Sequence, residues 1–490
     1  MNYRLIAFVF GEICVLMGAL MCIPLFMALG YHESHTIAAY GIAIAVCVAL
    51  GGIGLALRPP KDKRDLRPSS GFAICGLVWI IISLIGAMPY CISGAIPSYV
   101  DALFETISGF TTTGSSILTN VEIMPKSLLF WRALTQWLGG MGVLVFAIAI
   151  LPSSDKMSTA LAKAEIPGPQ FGKLVSKLRF TSRILYAIYI ALTLLLVVIL
   201  CACKMPVFDS FCHAFSTAST GGFSVKNASI AAYNSISIEV VLTIFMIIFS
   251  VNFNIYFMIL IGQFTKAIKS EELRCMFIIY FVALFAVTLD LCLRHTYASV
   301  GEALRYSSFN IASVMSTTGF GTADFTGWST LSQVILLGVM MIGGSAGSTS
   351  GGMKVSRLMI ISKSSFMNLR KTLSPRSVYA IKIDKKPVGE ETITSVKNFF
   401  ILYVILIALS TLLVSIETPN LSGSIFEANF TAVISCFNNI GPGLGAVGPA
   451  GNFAGYGAFS KIVLSLDMLL GRLEILPILL MFSPKSWTRI

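Results

Sequence analysis

Four short clusters hold the residues best suited to chemistry in this chain: Thr111-Thr112-Thr113-Gly114, Ser219-Thr220-Gly221-Gly222, Ser316-Thr317-Thr318-Gly319 and Asn438-Asn439-Ile440-Gly441. Aligned on Gly114, Gly222, Gly319 and Gly441, they agree at several columns. Ser108, Ser216, Ser313 and Ser435 stand six positions upstream, and Thr112, Thr220, Thr317 and Asn439 two upstream. Anchoring the second cluster on Gly221 would lose the serine column. The successive glycines are 108, 97 and 122 residues apart. Glycine permits torsions that turn successive carbonyls the same way, and a ring of carbonyls replaces the hydration shell of a cation, with threonine adding a hydroxyl acceptor. One Thr/Gly-rich loop is an ordinary connection, whereas four in register are a repeat. The fourth departs, with Asn438, Asn439 and Ile440 before Gly441, so strict fourfold chemistry is not expected.

Loops of this kind need a frame that brings them to one axis. The chain has 490 residues, 56% hydrophobic and only 12% charged, with a mean hydropathy of +0.83. Soluble domains carry roughly 25% charged residues, so the expected solvent is a lipid bilayer. Ten segments are long enough to span it as helices: Leu5 to Leu29, Thr36 to Leu57, Gly71 to Ser93, Ser127 to Leu151, Ile184 to Cys203, Ser237 to Phe264, Met276 to Leu293, Leu331 to about Ile361, Val396 to Ile416 and Ile462 to Phe482. The four clusters end shorter semi-apolar stretches between spans three and four, five and six, seven and eight, and nine and ten. These read as re-entrant pore helices and loops, whose C-terminal dipole ends favour a cation. The predicted fold is therefore an all-α integral membrane protein. Two N-terminal transmembrane helices (1–67) precede four tandem helix, pore loop, helix units around one pore, at 68–156, 157–266, 267–365 and 366–490.

Charge distribution supports this topology. With both termini cytoplasmic, 27 Lys and Arg fall inside and five outside, the asymmetry expected of a multi-pass protein. The net charge of +12 thus marks topology rather than a nucleic-acid face. The 11 cysteines form no CxxC and the four histidines no ligand cluster, which argues against zinc or disulfide scaffolds. The first apolar run has no cleavage site and reads as a retained helix. No nucleophile or acid–base constellation points to an enzyme.

These loops, together with Gln136-Trp137-Leu138-Gly139-Gly140-Met141-Gly142, resemble the Trk/Ktr/HKT superfamily of potassium transporters over nearly the whole chain, most closely the bacterial TrkH/TrkG-type subunits. The resemblance implies potassium uptake across the cytoplasmic (inner) membrane, K+ being the permeant ion and the only metal, held at a selectivity filter. Its residues would be Thr111, Thr112, Thr113, Gly114, Ser219, Thr220, Gly221, Gly222, Thr317, Thr318, Gly319, Asn438, Asn439, Ile440 and Gly441. A homodimer, a cytosolic TrkA-type nucleotide-binding regulatory subunit and contact with membrane lipid are implied as partners; no cofactor is expected in this chain. Serine at the first-loop glycine goes with sodium permeation in this family, and Gly114 favours potassium.

The eighth span is interrupted by Gly343-Gly344-Ser345-Ala346-Gly347-Ser348-Thr349-Ser350-Gly351-Gly352, which a continuous helix would carry at about 1 kcal/mol per glycine. A phosphate-binding loop would need Gly-Lys-Ser/Thr, and the chain has Gly352-Met353-Lys354-Val355. The segment reads as an intramembrane gate below the filter. Arg472 in the last span is expected to act as an electrostatic barrier, with pairing to Glu474 or Asp467 as the structural reading. Asp101, Glu105 and Glu427 would form a negative outer vestibule, or be solvated surface charge. The alternative function is a proton- or sodium-coupled potassium symporter. Such transporters typically carry inverted repeats, whereas these repeats share one orientation, which favours a channel-like pore.

Overall fold

The computed structural model describes residues 3–60, 68–142, 178–374, 380–417 and 420–481. Two long helices, α1 (Tyr3–Gly30) and α2 (Ser34–Ala56), form an antiparallel pair at the N-terminal end. They approach closely at Gly11, Gly51 and Gly54; a β-carbon on Gly11 would stand 2.8 Å from the Gly54 Cα. Small residues at such a crossing let backbones pack inside lipid.

Four units of one plan follow. The first comprises α3 (Pro68–Ile92), α4 (Tyr99–Phe110) and α5 (Lys126–Gly140). The second has α6 (Leu178–Ala202), α7 (Val207–Ala218), α8 (Ile236–Ser250) and α9 (Phe253–Leu260), with the short α10 (Phe264–Ile268) after it. The third has α11 (Glu271–Leu293), α12 (Val300–Met315), α13 (Thr330–Ile342) and α14 (Val355–Leu373). A two-stranded hairpin, β1 (Lys382–Ile383) and β2 (Lys386–Pro387), then leads into α15 (Glu390–Val414), α16 (Ile425–Phe437), α17 (Ala458–Arg472) and α18 (Leu476–Met481).

Among the described residues, six helices are long and apolar enough to span a bilayer: α1, α2, α3, α6, α11 and α15. The pair α8 and α9, bent by 90°, makes a seventh if counted as one span. Their outward faces carry large apolar residues such as Ile53, Val198, Phe285 and Leu412, as contact with lipid requires. The protein is a multi-pass membrane protein.

The expected ten spans are not all continuous. In each unit the helix that follows the loop, α5, α8, α13 or α17, stops after 13 to 15 residues. Hydropathy sees through these breaks because the residues around them stay apolar. Val251 leaves helical torsion and Asn252 caps α9 by accepting from the Asn254 amide. Glu474 and Ile475 both take positive φ between α17 and α18, an outlier conformation for a β-branched residue. After Gly140 the chain turns at Gly142 (φ 87); the remainder of the expected fourth span, the boundary at 156 and the end of the tenth span lie outside the described residues.

Each short helix, α4, α7, α12 and α16, begins alike. Ser98, Ser299 and Ser424 cap three of them by accepting from the amides of Asp101, Glu302 and Glu427, and Pro206 precedes the second, with Asp209 in its first turn. Acidic residues there suit the positive end of the helix dipole. The N-terminal pair shares an apolar core with units one and four, around Trp79, Phe104 and Trp131. Units two and three share a second, around Phe249, Phe253 and Phe309.

Candidate ion pathway

Each short helix also ends alike. Thr111, Ser219 and Ser316 follow in right-handed torsion. The next residues, Thr112, Thr220, Thr317 and Asn439, turn to φ 56, 55, 59 and 54, and Gly114, Gly222, Gly319 and Gly441 take φ 84, 77, 82 and 107. Between them, the amides of Thr113, Gly221, Thr318 and Ile440 donate to the carbonyls of Ser108, Ser216, Ser313 and Ser435 at 2.9, 2.8, 2.8 and 3.0 Å. The serine column therefore marks the carbonyls that close the last helical turn. Left-handed torsion at non-glycine residues costs roughly 1–2 kcal/mol each, and here it recurs at one column in all four units.

The four loops close a ring. A β-carbon added to Gly114 would fall far inside contact with the Gly221 carbonyl oxygen, one on Gly222 with that of Thr318, and one on Gly319 with that of Ile440. On Gly441 it would sit 2.9 Å from the Thr113 carbonyl oxygen. Contacts thus run from unit one to two, two to three, three to four and back to one. Among the described residues no hydrogen bond ends on the carbonyls of Thr112, Thr220, Thr317 or Asn439, and all four residues are buried. Buried backbone carbonyls are rarely left unpaired. Such carbonyls, one from each loop, have the chemistry to replace the hydration shell of a cation.

Side chains fix the seams. Gln136 donates to the Gly221 carbonyl (2.6 Å) and accepts from the Phe223 amide (3.2 Å); Asn439 donates to the Thr113 hydroxyl (2.9 Å); Ser115 donates to the Gly441 carbonyl (3.1 Å). Gln136 entered the sequence reading only as part of a motif. Its signal is an amide side chain, next to Thr135, inside a span expected to be apolar.

The segment Gly343 to Gly352 sits directly against this ring. The Gly351 amide donates to the Thr317 hydroxyl (2.7 Å), and the Gly352 amide to the Asn438 carbonyl (3.1 Å). Its other end meets the broken helices: the Ser345 amide donates to the Ser250 carbonyl (3.0 Å), and the Phe253 amide to the Gly347 carbonyl (3.0 Å). Its backbone bonds are joined by the Thr349 hydroxyl, which donates to the Phe249 carbonyl (3.1 Å). Lys354, counted among the 27 Lys and Arg on the inner side, is buried with its ammonium on the Ser350 carbonyl. Arg472 donates to the Thr349 carbonyl (2.9 Å) and to those of Gly139 and Gly140 (2.5 Å each). It thereby ties the segment to the C-terminal end of α5, where a cation complements the negative end of the helix dipole. Glu474 pairs instead with Arg357 (2.5 Å), and Asp467 accepts from Ser410 (2.6 Å).

Two adjacent carboxylates at the start of α11 connect this segment to the hairpin. Glu272 accepts from the Ala346 amide (2.7 Å). Glu271 accepts from the Asp384 amide (3.2 Å) and pairs with Lys363, which also donates to the Lys382 carbonyl (2.8 Å). A hydrogen bond to a charged group contributes about 1.5–3 kcal/mol. In Glu272→Ala, hydrogen exchange across 343–354 should accelerate about tenfold or more; unchanged protection would show that the bond holds nothing.

The expected acidic vestibule is largely neutralised. Glu105 is buried against Arg132 (2.7 Å), whose guanidinium lies 3.8 Å from the Phe223 ring centroid. Asp101 pairs with Lys461 (2.6 Å), and Glu427 sits in the first turn of α16. Asp290 accepts from Arg294 (2.9 Å) and Ser332 (2.7 Å).

One chain that lends four re-entrant loops to a common ring, among spanning and half-spanning helices, defines a membrane transport protein of the pore-loop class. The family model described as "TrkH: Cation transport protein" matches residues 37–489, and the chain belongs to this TrkH family. The Trk system potassium uptake protein TrkH of Salmonella typhimurium (strain LT2) is 33% identical over 492 residues, covering 99% of this chain and 100% of its own. The Trk system potassium uptake protein TrkG of Escherichia coli (strain K12) is 32% identical over 489 residues, covering 99% of each. The crystal structure of the potassium transporter TrkH from Vibrio parahaemolyticus is similar with a TM-score of 0.88 at 31% identity, over 100% of both chains.

Proposed function

We propose that this chain is the pore-forming subunit of a potassium uptake system. The observation that carries this reading is the ring of four buried carbonyls, at Thr112, Thr220, Thr317 and Asn439, that accept no hydrogen bond from a described residue. K+ passes through the ring formed by residues 111–114, 219–222, 317–319 and 438–441. The segment from Gly343 to Gly352 gates the path below it. A cytosolic TrkA-type nucleotide-binding subunit controls that gate, and the chain works as a homodimer in the cytoplasmic membrane with both termini cytoplasmic. Relatives named as potassium uptake proteins support the choice of ion.

Reconstitution in liposomes with a potassium gradient, a proton-sensitive dye and a sodium-free exterior tests this directly. Potassium influx with no dye response is expected; flux that requires protons or sodium would favour a symporter, and equal sodium and potassium flux would overturn the filter.

Arg472 is the barrier in this reading. Two unit charges about 8 Å apart repel by about 2 kcal/mol at an effective dielectric of about 20, a factor of roughly thirty in rate. Arg472→Gln should raise partner-independent potassium flux by about that much, because it removes the charge and releases the Thr349 carbonyl. Flux that falls in proportion to the amount of folded protein would make Arg472 a structural tie only.

A further inference from the structure

The column nine positions before each ring glycine holds Glu105, His213, Asn310 and Ala432. The first three are buried, and each reaches a hydroxyl just beyond its own glycine. Ser116 donates to the two Glu105 carboxylate oxygens at 3.0 and 3.1 Å. His213 Nε2 lies 3.0 Å from the Ser224 hydroxyl, while its Nδ1 lies 2.8 Å from the Asp209 carbonyl. A carbonyl only accepts, so Nδ1 carries the proton, and in the neutral ring Nε2 accepts from Ser224. Asn310 donates to Thr322 over a longer 3.4 Å.

The hydroxyls work in both directions. Ser116 also accepts from the Leu118 amide (3.1 Å), and Ser224 from the Lys226 amide (3.0 Å). Each clamp therefore joins the short helix to the chain as it leaves the ring. In unit four, Ala432 offers no such group; Thr431 accepts from the Leu444 amide (2.9 Å) at a shifted position. The first clamp also crosses a seam, since Arg132 bonds Glu105 and donates to the Ser224 carbonyl (3.1 Å).

We propose that Glu105, His213 and Asn310 are positioning residues that set ion selectivity by bracing three of the four ring loops from behind, through Ser116, Ser224 and Thr322. They touch no ion themselves. A carbonyl ring discriminates between cations only while its spacing is held, and a loop anchored on both sides of its glycine cannot widen freely. The inference rests on the ring being the filter.

The test uses the hydroxyl side, because removing Glu105 would strand the buried Arg132 charge. Ser116→Ala, Ser224→Ala and Thr322→Val change one group each. In liposomes carrying the full chain, each should lower the potassium-to-sodium flux ratio roughly two- to tenfold, the scale of one lost hydrogen bond, with Thr322→Val the weakest. His213→Leu should lower it as Ser224→Ala does. Their double variant should lose no more than either alone, since the two act as one unit. A purely structural role would reduce the amount of folded protein and leave the ratio untouched. Gly114→Ser runs alongside as reference. A ratio that moves there but in none of the clamp variants overturns the clamps alone; a ratio that moves nowhere overturns the filter reading as well. Additive losses at His213 and Ser224 also overturn the pairing.

Discussion

The Gly114→Ser variant is expected to lose at least about tenfold in its preference for potassium over sodium. Position 114 has φ 84, where a side chain costs roughly 1–2 kcal/mol. Its β-carbon would press on the Gly221 carbonyl of the next loop. The backbone must give way, and the loops on either side of that seam lose their spacing together. About 1.4 kcal/mol of lost discrimination is a factor of ten, so even partial relief of the clash produces a large change. Gly338→Ala in α13, where a β-carbon meets open space, is the control and should leave the ratio unchanged. Flux ratios for potassium, rubidium and sodium in liposomes decide the matter. An unchanged ratio in inserted Gly114→Ser protein would remove position 114 from the filter.

Excising the proposed gate segment should make conduction independent of the proposed regulatory partner, the largest change in total flux anticipated for any variant. The segment is pinched at its neck: a β-carbon on Gly343 would stand 3.0 Å from the Gly352 Cα. A deletion of residues 344–351 can therefore be closed without moving α13 or α14 far. It removes the Gly351 amide's bond to Thr317 and the Thr349 carbonyl that Arg472 holds, while leaving the ring's own contacts in place. Potassium flux should persist at full rate without partner or nucleotide, with selectivity kept. Gly351→Ala offers a milder route, because its β-carbon would collide with the Asn438 carbonyl and undock the segment. If both variants insert and still need the partner to conduct, the segment is no gate.

The repeat was readable because its register rests on backbone geometry that restricts residue choice. Glycine is needed at the positive φ of positions 114, 222, 319 and 441, and the serine column sits at the carbonyl closing each helix. Gly222 rather than Gly221 shares that torsion, as the serine alignment required. The helix breaks were not readable where no glycine run announced them. Val251 and Asn252 interrupt an apolar stretch that hydropathy averages over, and a 90° bend follows. Tertiary pairing was hidden for a different reason. Glu105 and Arg132 are 27 positions apart, and only the packing of α4 against α5 shows that the carboxylate faces a guanidinium rather than an outer vestibule. The link from the hairpin through Glu271 and Glu272 to Ala346 likewise joins segments that no local pattern connects.

The order of contacts around the ring has a consequence for how the protein can change. Each loop presents its glycine to one neighbour and its carbonyl to the other, which is the head-to-tail arrangement of a cyclic homotetramer. In such an assembly one codon sets all four quadrants, so every substitution strikes fourfold and symmetry is obligatory. Here four separate codons set them. One quadrant has accepted Asn438, Asn439 and Ile440 in place of hydroxyl residues while still closing the circle onto Thr113. With the ring as the proposed filter, ion preference is adjustable a quarter at a time, and the quadrants are free to specialise.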